Sequence, residues 1–418
     1  MRGYLWRLAV STGMLALGLG CGWTQTRIAT IPLQPYGAMT AKELFESHPD
    51  PDRKGWMIVG PPTGVNWIGG STVTIGEQGR VYVGLAIWAS GGAPVNTFRG
   101  TGDKLRLLVL NAKDNGRLVQ KIDFPARSLD RLDLRLAGDG ILLITANDKL
   151  MRVGIDGRPT AELSLPNVQK QFDPWYLQSS TTGRTLRVRL NDARALLVDT
   201  KTLKLLNDCH EASDRNDFGT MTDDMELDDP VETPFPNTTR GLETEVFCRK
   251  GHRLSQFGDI DFVPLVVDDH RFLAIDTGTL ALRKLTGETV WTRSAPPGRV
   301  LEKAAEYQKL SRDGTRVAVR VFRPVQYHYP VRMERKPPTA TLFRTVQFLR
   351  YGVPRSRTVM VDDTIDVRDV ASGRLIARVP IQDPEGDLFQ PYARFALGPH
   401  GRLLAIIEDG KLTLWQLP

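Results

Sequence analysis

Apolar runs of five to seven residues, rich in Val, Ile and Leu, recur from about residue 27 to the end of the chain. Runs of this length and composition are typical of β-strands. Some are joined by a glycine turn before a strongly apolar strand, as in "KLSRDGTRVAVRVF" and "ALGPHGRLLAIIE". In the second kind of turn, the strand before the turn ends in a polar pair, as in "LALRKLTGETVWTRS" and "IDVRDVASGRLIARVPI". Glycine supplies the positive φ that hairpin turns need, so the pattern predicts an all-β fold of antiparallel hairpins.

The two kinds of turn alternate, which divides the chain into units of four strands. Evenly repeated four-stranded units are the signature of a β-propeller, in which each unit is a blade. The 216–257 unit has the weakest pattern, and without it the count is six blades rather than seven. The predicted blades are 71–124, 131–166, 175–207, 216–257, 261–294 and 305–381, followed by a unit of only three strands at 392–417.

The strand missing from the last unit is predicted to come from the start of the chain. "RIATIPLQ", which begins at Arg27, closely matches "RLIARVPIQ", which begins at Arg374 and forms the outermost strand of its blade. Pro32 and Pro380 occupy equivalent places in the two stretches, and Pro is tolerated at the edge of a sheet. We therefore expect strand 27–34 to complete the last blade and close the ring.

Three stretches carry a resemblance to a known class of proteins. "LSRDGTRVAV", "LGPHGRLLAIIEDGKLTLWQL" and "IDVRDVASGRLIARV" resemble bacterial WD-repeat-like, YVTN-type seven-bladed β-propellers, and the resemblance covers roughly residues 27–418. The Trp-Asp pair of true WD repeats is absent, since Trp415 is followed by Gln416. One further stretch, "LTGETVWTRS", resembles the repeat of quinone-cofactor propellers and of an outer-membrane assembly lipoprotein. The resemblance implies a scaffold and does not by itself imply chemistry.

The first twenty residues have the pattern of a secretory signal peptide. Arg2 and Arg7 precede the apolar run "LAVSTGMLALGLG", which is too short to span a bilayer stably. "LGLGC" resembles a bacterial lipobox ending at Cys21, although Gly18 stands where the pattern has Leu. This predicts a lipidated Cys21, a tether at 21–26 and an exported protein that is periplasmic or anchored in the outer membrane of a Gram-negative bacterium. Plain cleavage and an uncleaved anchor are the alternatives.

The charge of the chain argues against a nucleic-acid partner. The formal net charge of the 418 residues is +7, and Arg2 and Arg7 of the signal peptide account for two of these charges. The remaining excess is small for so long a chain, whereas nucleic-acid binding proteins concentrate basic side chains in order to displace counterions.

Three segments do not fit the repeat. In the first, 34–70, Thr40 and Glu43 form a capping box that predicts a short helix through His48, serving as a structural plug. The second, 208–245, includes an acidic stretch, 208–232, with ten Asp or Glu residues against one Arg. Clustered carboxylates bind calcium in some proteins, but no calcium-loop motif is present, so a solvated acidic loop is the other interpretation.

The third segment, 324–363, interrupts a blade between its second and third strands. From Arg332 to Arg357 it carries seven basic residues against Glu334, with aromatic residues interleaved. Such a composition suits an anionic surface, and we predict that this segment contacts a partner protein of the cell envelope. A hairpin extension with a solvated basic face is the alternative. The candidate partner-binding residues are Tyr327, Tyr329, Arg332, Arg335, Lys336, Arg344, Arg350, Arg355 and Arg357.

Two cysteines remain besides Cys21. In an exported protein, Cys209 and Cys248 are predicted to form a disulfide bond. Free thiols and a zinc site with His210 and His252 are the alternatives, although adjacent residues of one strand point to opposite faces and make poor joint ligands.

No catalytic motif is present. The chain has no Gly-x-Ser-x-Gly, no His-Glu-x-x-His and no phosphate-binding glycine loop, and its six histidines are scattered. His270 and His400 are predicted to be exposed turn residues. The sequence thus nominates no catalytic, metal or cofactor residue. It favours a non-enzymatic binding scaffold, with a propeller enzyme or small-ligand receptor at the channel mouth as the alternative, and it leaves the oligomeric state open.

Overall fold

The computed structural model describes most of the repeat pattern as β-structure. The described residues form antiparallel strands, short turns and single-turn 3-10 helices at Gln34–Tyr36, Glu77–Gly79 and Ala112–Asp114. No helix in this part of the chain is long and apolar enough to cross a membrane. The residues that the structure describes are 25–38, 72–87, 104–125, 133–146, 149–154, 158–165, 176–189, 194–210, 220–221, 226–227, 244–245, 263–302, 308–328, 356–381, 394–408 and 410–418.

The strands, in chain order, are β1 (Thr26–Pro32), β2 (Thr72–Ile75), β3 (Arg80–Ile87), β4 (Lys104–Asn111), β5 (Arg117–Pro125), β6 (Asp133–Leu136), β7 (Leu142–Ala146), β8 (Lys149–Val153), β9 (Pro159–Ser164), β10 (Tyr176–Ser179), β11 (Thr185–Arg189), β12 (Arg194–Asp199), β13 (Leu205–His210), β14 (Thr220–Met221), β15 (Glu226–Leu227), β16 (Thr244–Glu245), β17 (Val263–Asp268), β18 (Arg271–Ile275), β19 (Thr279–Lys284), β20 (Thr289–Ser294), β21 (Val300–Leu301), β22 (Gln308–Leu310), β23 (Arg316–His328), β24 (Ser356–Asp369), β25 (Leu375–Pro380), β26 (Arg394–Leu397), β27 (Leu403–Glu408) and β28 (Lys411–Gln416).

All of the described strands except β14–β16 form six blades. Blade 1 contains β2–β5, blade 2 contains β6–β9, blade 3 contains β10–β13 and blade 4 contains β17–β20. Blade 5 contains β21–β25, with β21 and β22 pairing with successive parts of β23. Blade 6 contains β26–β28 and takes β1 as its outermost strand. The all-β propeller is confirmed, and the described part of the chain shows six blades, a count that the sequence allowed.

The predicted 216–257 unit does not form a four-stranded blade in the described residues. Its described part is a sheet of three strands, β14–β16, each two residues long. Strand β14 lies beside β10 of blade 3 and β17 of blade 4, so this short sheet occupies the place between those blades. The rest of the 216–257 unit lies outside the described residues.

The hydrophobic core lies between successive blades. The first strands of neighbouring blades adjoin one another and are therefore innermost, around the central channel. In β27, Leu404 and Ile406 pack against blade 5, whereas Ala405 and Ile407 pack against blade 1. Successive side chains of a strand point to opposite faces. An uninterrupted apolar run thus fills the core on both sides of a blade.

Strand β1 closes the ring. It pairs antiparallel with β28, from Thr26 opposite Gln416 to Pro32 opposite Lys411. Its counterpart in blade 5 is β25, which is likewise the outermost strand of its sheet. The two similar sequence stretches are therefore equivalent edge strands of neighbouring blades, and the predicted closure by the N-terminal strand is confirmed.

The two ends of the blades differ in their connections. Because the strands of a blade are antiparallel, the turn between its first and second strands and the turn between its third and fourth strands lie at the same end, here called the turn face. The other connections lie at the opposite end, here called the loop face. Each turn on the turn face spans five residues or fewer. Asp369 closes one of them, accepting hydrogen bonds from Ser372 N at 2.8 Å and Ser372 Oγ at 2.6 Å. The three non-repeat segments all begin on the loop face.

Candidate interaction surface

Strands β23 and β24 extend well beyond the blade to which they belong. They have 13 and 14 residues, whereas no other described strand exceeds nine. Beyond Val321, β23 continues to pair with β24 as far as His328 opposite Ser356. This hairpin carries the segment 324–363 on the loop face, and residues 329–355 lie outside the described residues.

A β-bulge separates the extension from the blade. The register shifts between Val321 and Arg323, and Asp362 on the opposite strand has a left-handed backbone with φ of 53°. Arg323 Nε donates to Asp362 Oδ2 at 2.8 Å, and both side chains are about half exposed. Bulges bend a strand and increase its twist, so this one sets the direction in which the extension leaves the blade.

A buried ion pair lies directly below the bulge. The side chains of Arg320 and Asp363 are only 3% and 8% exposed. Arg320 Nε donates to the two carboxylate oxygens of Asp363 at 3.0 and 2.8 Å, and Arg320 Nη2 donates to Oδ2 as well. A buried charge requires a partner of opposite sign. This pair consequently fixes the register of β23 and β24 at the base of the extension.

A second buried carboxylate ties β24 to β25. Asp366 is fully buried and accepts hydrogen bonds from Arg378 Nε at 2.7 Å and Arg378 Nη2 at 2.8 Å. Arg368 Nη2 donates to the same carboxylate at 3.3 Å. The hydrogen bond to Asp366 raises the pKa of Arg378, against the opposing effect of burial. Blade 5 therefore has a charged and fully paired interior below the hairpin.

Two of the predicted partner-binding residues lie on the described part of the hairpin. The backbone of Tyr327 in β23 lies opposite that of Arg357 in β24. The remaining candidates lie outside the described residues: Tyr329, Arg332, Arg335, Lys336, Arg344, Arg350 and Arg355.

The other predicted features are described only in part. Cys209 lies in β13 opposite Ala195 of β12, whereas Cys21 and Cys248 lie outside the described residues. Lipidation and the disulfide bond thus stay predictions. The capping-box helix and most of the acidic stretch with its calcium alternative also lie outside them.

A second cluster lies where turn-face loops of several blades meet at the channel mouth. His400, in the first turn of blade 6, is 69% exposed, as its predicted place in a turn implies. Its Nδ1 is 3.5 Å from Asp313 Oδ2 of blade 5, and its Nε2 is 3.8 Å from Glu77 Oε2 of blade 1. Arg312 Nη1 lies 3.9 Å from Glu77 Oε1. Charged side chains from three blades therefore converge on one channel opening.

The carboxylate of Asp313 is held in its charged form. Burial alone raises its pKa, but hydrogen bonds from Ser311 Oγ at 2.6 Å and Thr315 Oγ1 at 2.7 Å, with Thr315 N and His400, lower it below the ordinary value. The two ring nitrogens of His400 face different carboxylates. In the part of the chain that the structure describes, no group of three or more His, Cys, Asp or Glu side chains could hold a metal ion.

Sequence reasoning placed His400 in a turn but did not bring it together with Glu77 and Asp313. The signal that could have done so lies in the repeat itself. "GEQG", "SRDG" and "GPHG" occupy the same first turn of blades 1, 5 and 6. Equivalent turns of a propeller surround one channel mouth, so polar residues at aligned turn positions are expected to converge.

Comparison with known proteins supports the fold. No protein-family model matches the chain, and no curated protein shows a significant match. The solved C-terminal WD40 domain of Sif2 is similar to it, with a TM-score of 0.50 and 10% identity over 94% of this chain and 99% of that domain. Raptor from Chaetomium thermophilum has a TM-score of 0.50 and 8% identity over 94% of this chain, which corresponds to 29% of the Raptor chain. The chain therefore has a WD40-like β-propeller fold.

Proposed function

We propose that this chain is an exported, lipid-anchored β-propeller that acts as a non-enzymatic binding scaffold in the envelope of a Gram-negative bacterium. The observation that carries the proposal is the β23–β24 hairpin, which extends from the loop face on a base fixed by buried ion pairs. Loops that project from a rigid scaffold commonly hold the binding residues of a fold. The propeller scaffold is, in addition, one that commonly serves protein interaction.

The partner is expected to be an acidic envelope protein. The segment from Arg332 to Arg357 carries seven basic residues against Glu334. A local excess of one sign of charge attracts partners of the opposite sign and raises their association rate. Interleaved aromatic residues add the apolar contact area on which interfaces depend.

The anchor is expected to hold the ring close to a bilayer. Cys21 precedes Gln25 by four residues, and Gln25 Nε2 donates to Arg378 O of blade 5 at 2.7 Å. Four residues span at most about 14 Å when fully extended. A lipid on Cys21 would therefore hold the propeller close to the bilayer surface.

The binding role is tested by shortening the hairpin. His328 and Ser356 are a directly opposed pair, so Thr-Asn-Gly-Thr can replace residues 329–355, with the two threonines as the hydrogen-bonded pair that flanks the Asn-Gly turn. We expect this variant to fold like the intact chain and to lose its partner in crosslinking experiments in cells, with mass spectrometry of the captured proteins. Unchanged capture would contradict the scaffold assignment.

The anchor is tested separately, because it does not depend on the hairpin. We expect Cys21→Ser to move the chain from the membrane fraction to the soluble fraction, while partner capture by the purified protein is retained. Persistence of the variant in the membrane fraction would favour an uncleaved anchor instead.

One observation favours a second candidate function, that of an enzyme or small-ligand receptor. It is the convergence of Glu77, Asp313 and His400 on one channel mouth. Thermal-shift screens of metabolites and metal ions against the intact chain and the His400→Ala variant test it. A compound that stabilises only the intact chain would support this candidate, and an empty screen would count against it.

A further inference from the structure

The hairpin extension has two strand edges beyond the body of blade 5. Strand β25 pairs with β24 only as far as Thr364, and β21 pairs with β23 only at Val321 and Phe322. Among the residues that the structure describes, the ladder formed by 323–328 and 356–361 has no third strand beside it. Such edges carry backbone N–H and C=O groups that can pair with another chain.

The inner edge, on the β21 side, is blunted by proline. Glu302 N donates to Arg320 O at 3.0 Å, so the backbone groups of Arg320 point toward β21 rather than toward β24. The N–H and C=O groups of successive residues point alternately to the two sides of a strand, so the backbone groups of Pro324 and Gln326 point to the same inner edge. Pro324 has no N–H, so this edge lacks a donor where an added strand would need one.

The outer edge, on the β25 side, has no such interruption. Met360 lies opposite Pro324, and Thr358 lies opposite Gln326. Directly opposed residues point their backbone groups either toward each other or away from each other, so those of Met360 and Thr358 point outward from β24. Residues 356–361, "SRTVMV", contain no proline and are rich in strand-forming residues. This edge is about 20 Å long at the usual rise per residue.

We infer that the outer edge of β24, residues 356–361, accepts an extended acidic segment of a partner protein as an added β-strand in line with β25. Charge complementarity identifies the occupant, because Arg357 belongs to this strand and the sequence from Arg332 to Arg357 carries seven basic residues against Glu334. Backbone hydrogen bonds would supply the affinity, and attraction between the partner's carboxylates and the positive charge of this segment would supply the specificity. The inference rests on the proposed scaffold function and specifies how that scaffold holds its partner.

The test uses two proline variants of the full-length chain. Thr358→Pro removes a backbone N–H that points outward from the outer edge. Gln326 lies opposite Thr358, and Gln326→Pro removes a backbone N–H from the inner edge. The probe is a fluorescein-labelled ten-residue peptide of alternating Glu and Val, with a Lys-Val peptide as the charge control, and binding is followed by fluorescence anisotropy. We expect Thr358→Pro to weaken binding of the Glu-Val peptide at least about tenfold, because the peptide carbonyl that would pair with the lost N–H is left without a donor. Gln326→Pro should change it less than about twofold, and the Lys-Val peptide should not bind.

A second measurement leaves the protein unchanged, in case Thr358→Pro disturbs the hairpin. A Glu-Val peptide that is N-methylated at alternate residues on one edge cannot form the ladder and should not bind the intact chain. Equal binding of the methylated peptide, or no binding of the unmodified one, would overturn the inference. So would a dimer of the chain that Thr358→Pro abolishes, since a second copy would then occupy the edge. Loss of capture on removing 329–355 with retained capture by Thr358→Pro would overturn the strand addition alone and leave the scaffold function standing.

Discussion

Among the described aspartates that close turns of this propeller, four have a pKa below the ordinary value. In Asp199 the Thr202 hydroxyl donates to the carboxylate. In Asp139 and Asp268 burial is outweighed by hydrogen bonds and a neighbouring arginine, and in Asp313 it is outweighed by hydrogen bonds. A hydrogen bond to the charged form of a group favours that form. The turns are thus stabilised by ionised side chains.

This arrangement predicts acid-sensitive folding. A carboxyl whose pKa is lower in the folded than in the unfolded chain stabilises the fold fully above the unfolded value, about 4, and loses that contribution as the pH falls through the folded value. We expect the midpoint of thermal unfolding to change little between pH 7 and pH 5 and to fall below about pH 4. The measurement is a calorimetric series over pH. Asp199→Asn should lower the midpoint of thermal unfolding at pH 7 and make that midpoint fall less between pH 5 and pH 3. An unchanged fall would contradict the stabilising role of the charged carboxylate.

Glycine is required at position 401 by the left-handed backbone conformation and by the lack of space for a side chain. Its φ is 64°, and a Cβ at this position would lie 2.7 Å from Arg316 Cβ of blade 5. We expect Gly401→Ala to lower the free energy of unfolding by about 1–2 kcal/mol, because left-handed backbone disfavours a side chain. Chemical denaturation measures this. Gly278→Ala is the control, since a Cβ there would meet nothing within 4 Å, and equal effects of the two variants would contradict the argument.

At the level of the structural elements, the base of the β23–β24 hairpin offers a matched pair of carboxylates. Asp363 is buried against Arg320, whereas its neighbour Asp362 pairs with Arg323 at the surface. Removing one partner of a buried ion pair leaves an uncompensated charge and costs about 3–5 kcal/mol. An exposed pair contributes about 0–1 kcal/mol. The two neighbours should therefore respond differently to the same substitution.

We expect Asp363→Ala to lower the free energy of unfolding by about 3–5 kcal/mol and Asp362→Ala by at most about 1 kcal/mol. The double variant Arg320→Met with Asp363→Leu should regain much of the loss, because it removes both buried charges together. Denaturant unfolding of the three variants measures the difference. Similar losses for Asp362→Ala and Asp363→Ala would show that burial does not determine the cost.

The elements that sequence predicted well are those whose signal is local. Alternating turn types and apolar runs placed blades 1 to 4 and blade 6 within a few residues, since a blade buries both faces of its strands. The hairpin was harder to predict. Pro324 marked the start of an insertion, yet β23 continues through it to His328 because proline is tolerated on a sheet edge. The meeting of Glu77, Asp313 and His400 depends on the curvature of the ring, so it could be found only by comparing equivalent turns of the repeat and not from a local pattern.

At the scale of the whole molecule, one strand joins the two ends of the chain. Strand β1 adds the fourth strand to blade 6, and its residues Ile28 and Ile31 pack against the core shared by blades 6 and 1. Without it, β28 would be an unpaired edge strand that exposes Leu412, Leu414 and Trp415 near its free side. Exposed edges of this kind pair with other chains and promote aggregation.

Removal of residues up to Leu33 should therefore open the ring. We expect a truncated chain that begins at Gln34 to unfold at a lower denaturant concentration and to self-associate through β28, as measured by equilibrium denaturation and analytical ultracentrifugation. Adding the synthetic peptide "RIATIPLQ" should restore a monomer, because it can occupy the vacant edge, whereas a peptide with the same residues in scrambled order should not. Arg27→Ala in the intact chain is the control: it keeps β1 but removes an exposed side chain whose guanidinium lies 6.0 Å from the Trp415 ring, and it should cost at most about 1 kcal/mol. A truncated chain that stays monomeric and as stable as the intact one would show that the ring is closed by the contacts between blades and not by β1.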